Sequence, residues 1–136
     1  MRTQAMLETA LTVLLAAQSA AAATYDGQQP FLCAPVDIMS CASDGKCDKE
    51  TAESVNLPQF LKFDVAQNQI TGTRPNGETL RTAIDKVQRL EERMVLQGTE
   101  GRIMWSVMVG ETSGDMTITA GGDRVGFVAF GSCTPG

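Results

Sequence analysis

The side chains with most chemical reach in this chain are four cysteines, a scatter of carboxylates and seven methionines; there is no histidine. Cys33, Cys41, Cys47 and Cys133 could in principle ligate zinc as thiolates. No C-x-x-C pair occurs, however, and the histidines that usually complete such sites are missing. An even cysteine count reads instead as disulfides. Nucleophilic catalysis has little to work with: no histidine can serve as base, and no serine and lysine sit at an activating spacing. Asp44, Asp48 and Glu50 cluster together, as do Glu91 and Glu92. A general acid needs a pKa raised by burial, and these carboxylates fall in segments that read as solvated turns. The stretch Asp44-Gly45-Lys46-Cys47-Asp48 lacks the alternating oxygen ligands and closing glutamate of an EF-hand. Met94, Met104, Met108 and Met116 are thioethers that could hold Cu(I). Methionine is also the adaptable filler of apolar cores, and neither an M-x-x-M run nor a histidine accompanies these four, so packing is the expected role. No catalytic residue, metal or cofactor is expected.

The elements that must position these residues begin with an N-terminal address. Arg2 is followed by the apolar run Ala10–Ala17 and then by the small residues Ser19–Ala23. A basic start, a short apolar centre and an A-x-A site define a secretory signal peptide over residues 1–23, leaving 24–136 as one disulfide-bonded β domain. The apolar run is too short to span a bilayer, which takes about 20 residues. The formal net charge of −5, from 11 basic and 16 acidic residues, argues against nucleic acid as a partner. Periplasmic or secreted localisation follows, and with it an oxidising compartment for the thiols.

Residues 24–58 are polar and turn-rich, with one hairpin candidate over Cys33–Thr51, and residues 59–136 read as short strands separated by turn signals. Val36 and Ile38 alternate with Asp37 and Met39. Asp44-Gly45 then suits a tight hairpin, with Cys41 and Cys47 flanking it almost symmetrically. Leu61, Phe63 and Val65 alternate with Lys62 and Asp64, Gln67-Asn68 turns the chain, and Ile70–Thr73 returns. Asn76-Gly77 favours a type I′ hairpin. Residues 80–96 are ambiguous. Leu80, Ile84, Val87 and Met94 lie at helical spacing, yet the same letters read as two strands, Thr82–Leu90 and Arg93–Gln97, joined near Glu91-Glu92. Ile103, Trp105, Val107 and Val109 then share one strand face, with Met104 and Met108 on the other. Met116, Ile118 and Ala120 follow, and Val125–Phe130 is apolar on both faces, as a central strand should be.

The order Leu32-Cys33, Cys41, Cys47, then Val55-Asn56-Leu57-Pro58-Gln59-Phe60-Leu61, resembles a family of small exported proteins of Gram-negative bacteria. The pattern continues through Leu96-Gln97-Gly98 and Trp105-Ser106 to the ending Gly126-Phe127-Val128-Ala129-Phe130-Gly131-Ser132-Cys133-Thr134-Pro135. The resemblance covers nearly all of residues 24–136. It implies no activity, but it does imply strands over 80–96, with Glu92 standing where relatives tend to carry a turn residue.

The expected fold is therefore all-β: an antiparallel up-and-down meander of about eight short strands, closed or nearly closed into a small barrel. If Cys41 pairs with Cys47, Cys33 must pair with Cys133 and tie the first strand to the last. The alternatives are 33–41 with 47–133, and 33–47 with 41–133. Phe63, Trp105, Phe127 and Phe130 could line a pocket but are expected to fill it. The function that fits is a monomeric, non-enzymatic exported barrel that binds another protein of the cell envelope. The alternative is a carrier of a small apolar ligand or, through its methionines, of copper.

Overall fold

The computed structural model describes residues 25–136; the signal peptide expected over 1–23 lies outside the described residues. Ten antiparallel strands make one strongly curled half-barrel, with no helix among the described residues. The strands are β1 (Phe31–Ala42), β2 (Cys47–Glu50), β3 (Leu61–Asp64), β4 (Gln69–Thr73), β5 (Thr79–Ala83), β6 (Lys86–Leu90), β7 (Arg93–Glu100), β8 (Ile103–Gly110), β9 (Asp115–Gly122) and β10 (Val125–Pro135). Their spatial order is β5-β4-β3-β1-β10-β9-β8-β7-β6, with β2 pairing β1 beside β3. Sequence order is thus kept around the sheet, and first and last strands meet at its centre. That centre is where the doubly apolar last strand was expected.

β1 is the spine. One edge pairs β10 from Phe31↔Pro135 to Ala42↔Val125, while its other edge is shared by β3 at Phe31–Cys33 and β2 at Ile38–Cys41. Pro35 has no N–H to give the ladder, and next to it the register slips by one residue. The extra residue is Val36. The alternation read from the sequence put it on the same side as Ile38, but the irregularity turns it outward, 67% exposed, while Ile38 stays fully buried.

The ambiguous stretch is extended. The expected strand Thr82–Leu90 is interrupted at Ile84–Asp85, where the chain changes partner. The Ile84 N–H donates to the Asn68 carbonyl, continuing the β4/β5 pairing, and the Asp85 N–H donates to the Gln97 carbonyl, opening the β6/β7 pairing. This split adds a strand, and the described residues form ten where about eight were expected. Leu80 and Ile84 are four apart, which suits a helix face and a strand face equally. The interruption shifts the alternation by one and brings Val87 opposite the inward Leu96. Across the seam left by this switch, the Thr82 hydroxyl donates to the Thr99 carbonyl at 3.2 Å.

Turn chemistry also departs from expectation. Type I′ needs positive φ at both Asn76 and Gly77, and only Gly77 has it (φ 88°). Pro75 fixes a negative φ one residue earlier, so the chain turns over Arg74–Gly77. The Gly77 N–H reaches the Arg74 carbonyl and the Asn76 side chain accepts from the Glu78 N–H.

The concave side is the core. Row by row across the sheet, Ile38, Ala129, Ile118, Val107 and Leu96 form one buried line, flanked by Met116, Val109 and Met94. Phe31 stacks on Phe63 with ring centres 5.2 Å apart, and Tyr25 meets Phe31 edge-on while its hydroxyl donates to the Cys133 carbonyl.

Candidate functional site

The cysteines are spent on structure. Cys33 is bonded to Cys133 and Cys41 to Cys47, the first of the three pairings weighed above. Each pair sits at directly opposed ladder positions, β1/β10 and β1/β2. No free thiol is left to act as nucleophile or metal ligand.

The carboxylates do not converge. Asp44 and Asp48 are exposed on the first hairpin, and Glu91 and Glu92 are exposed at the β6/β7 turn. Asp44 accepts only from the Lys46 N–H within its own turn, at 3.0 Å, whereas Glu50 accepts from the Ser54 hydroxyl at 2.6 Å and the Ser40 hydroxyl at 2.7 Å. Those donors, Ser54 foremost, hold its carboxyl below the ordinary glutamate value against a small opposing effect of burial. This is the reverse of what a general acid at neutral pH requires. Glu50 therefore pins the loop after β2 to β1. Among the described residues no cluster of three or more Asp, Glu and Cys side chains is placed to hold a metal ion.

The methionines are divided by the sheet. Met94 and Met116 point into the core and are almost wholly buried; Met104 and Met108 point outward, 70% and 38% exposed. A β-sheet is impermeable to its own side chains, since neighbours along a strand alternate faces. The four thioethers therefore cannot share one copper ion; of the four, only Met104 and Met108 share the outward face.

What the outward methionines do belong to is a broad uncharged surface. On the convex face, cross-strand pairing aligns Val128, Thr119, Ser106 and Gln97 in one row over β10, β9, β8 and β7. Phe130, Thr117, Met108 and Val95 form the adjacent row. Neither row holds a charged residue, in a chain of which 20% is charged. Met39, opposite Val128, extends the surface onto β1, and Met104 lies beyond Ser106 on β8. Phe130 is 50% exposed and Met39 46%. Charges stand at the margins: Asp37 beside Phe130 is held 3.6 Å from Lys49, and Lys86 lies opposite Gln97 on the edge strand. Near Met104 the surface dips into a shallow depression lined by Gln97, Thr99, Ser106, Thr119 and Gly121, with the charged Asp85 at its margin.

The concave side holds a second feature, a cavity of about 210 Å³ whose walls include Phe63, Trp105 and Phe127. Three of the four aromatics that could have lined a pocket do so. Phe130 does not, because it lies one residue out of phase with Phe127 and Ala129 and faces solvent. The uncharged rows were legible strand by strand as outward Met and Thr positions. Their alignment across four strands depends on register, which no single strand encodes. A comparison with protein-family models, with curated proteins and with solved structures finds no match to this chain.

Proposed function

We propose that this chain is an exported, non-catalytic protein that acts by binding another protein of the cell envelope through the convex face of its sheet. The observation that carries the reading is the charge-free double row centred on Phe130, Thr117 and Met108. Interface cores are depleted in charge and enriched in aromatic residues and methionine, whereas ordinary solvent-facing strands are not. A soluble monomer gains nothing from leaving Phe130, Met39, Met108 and Met104 in water together, and contiguous apolar surface of this kind marks an interaction site. The threonine, serine and glutamine side chains between them supply hydrogen-bonding groups without charge. The two disulfides fit an oxidising compartment, which accords with the N-terminal export pattern.

The partner is accordingly a protein surface that is apolar and uncharged at its centre, and its hold should be little weakened by salt, since screening acts on charges. The test is quantitative recovery of the partner from the envelope of producing cells by the tagged chain and by the double variant Phe130→Asp, Met108→Asp. Both positions are outward-facing, so the variant is expected to keep the thermal stability of the parent. Salt-resistant recovery by the parent and loss with the variant is the expected outcome. Equal recovery by both chains would remove the convex face from consideration.

A further inference from the structure

Independently of the convex face, we infer that the concave cavity is a binding site for a small, neutral, apolar molecule with about the bulk of one substituted aromatic ring. The cavity holds about 210 Å³ and is open to solvent on one side, on the concave face of the half-barrel. Its walls are hydrocarbon and aromatic: Phe63, Leu80, Val107, Ile118 and Phe127, with Trp105 across one side. Each of these except the half-buried Phe127 is less than a tenth exposed, while the exposed Ile103 and Glu100 also line the cavity and mark its open side.

The polar groups of the wall are already committed to one another. The Trp105 indole N–H donates to the Thr82 hydroxyl at 3.3 Å, and that hydroxyl donates to the Thr99 carbonyl at 3.2 Å. No buried side-chain polar atom among the described residues lacks a partner. A water needs two to four polar partners to settle in a cavity, and the buried Trp105 and Thr82 side-chain donors are already paired. The charged residues Arg74 and Glu100 also line the cavity. Arg74 is tied to the Asn56 carbonyl at 2.9 Å, and Glu100 is exposed. The chemistry that fits is therefore uncharged and without strong hydrogen-bonding groups. Size narrows it further: an apolar cavity of about 150 Å³ suffices for benzene, and drug-sized ligands take about 300 Å³ or more.

Trp105 is the only tryptophan of the chain, so its fluorescence reports from the wall itself. The experiment titrates the full chain, disulfides formed, with iodobenzene, whose heavy atom quenches an indole it touches. Saturable quenching is expected within the probe's aqueous solubility, and excess toluene should restore the emission by displacement. Ala120 also lines the cavity, and Ala120→Leu should raise the quenching midpoint about tenfold or more by filling the space. Quenching that rises linearly without saturating, or that toluene leaves unchanged, would overturn the inference. So would a folded Ala120→Leu chain quenched as readily as its parent. Should that variant fail to fold, toluene displacement in the parent decides alone.

Discussion

Deleting the two disulfides one at a time should give very unequal losses of stability. The perturbations are Cys33→Ala with Cys133→Ala, and Cys41→Ala with Cys47→Ala. The first bridge links residues 100 apart in sequence and the second residues six apart. Chain entropy gives about 4.7 kcal/mol for the long loop and about 2.4 kcal/mol for the short one, because the restraint acts chiefly on the unfolded ensemble. A domain of this length unfolds with an entropy near 0.24 kcal/mol/K, so the melting temperature should fall by about 20 °C and about 10 °C respectively. Packing widens the difference. Cys33 is fully buried whereas Cys47 is exposed, so only the first deletion also opens core space. Thermal unfolding followed by circular dichroism under non-reducing conditions measures both losses. Equal losses, or a larger one from the hairpin clip, would refute the claim that the bridge between first and last strands is the main covalent restraint.

Three further outcomes follow from local geometry. Glu92 holds a left-handed backbone (φ 56°) at the β6/β7 turn, so Glu92→Gly should stabilise the fold by about 0.5–1 kcal/mol after the entropy of the added glycine is counted, visible as a higher urea midpoint. Gly98 has no room for a methyl, because a Cβ there would collide with the Trp105 ring and the Ala83 carbonyl. Gly98→Ala should therefore cost about 1–3 kcal/mol in urea unfolding and alter the Trp105 emission. Glu50 has a lower pKa folded than unfolded, so its contribution is present above the unfolded value and lost as pH falls through the folded one. The stability gap between parent and Glu50→Gln, measured by urea unfolding across pH, should be steady near neutrality and close on acidification.

Much of the fold was legible because alternation is a local signal. β3, β8 and β9 bury most of the residues their two-residue period assigns inward, with Ile103 at the start of β8 left exposed, and Asn68, Gly77 and Gly45 turn the chain where turn residues stand. The failures share one physical cause: each depends on a residue that resets phase or partner. Pro35 removes a ladder donor and lets Val36 swing out, and the Ile84–Asp85 switch splits what reads as one strand. Pro75 selects one turn over another at Asn76-Gly77. The candidate site was only half visible. That Met104 and Met108 face one way follows from their spacing, but their alignment with Thr117, Phe130 and Val95 is set by long-range pairing. The cavity was hidden for a similar reason, since aromatic residues that fill a core and those that line a void look alike in sequence.

The reading of the convex face as the working surface is tested most directly by photo-crosslinking in producing cells. A benzophenone side chain is placed in turn at Met108, at Phe130 and at the exposed Lys62 of β3, which lies outside the two uncharged rows. Binding through this face predicts one discrete adduct of common mass at Met108 and Phe130, and none at Lys62. Adducts of equal yield at all three positions, or none at the first two, would contradict it.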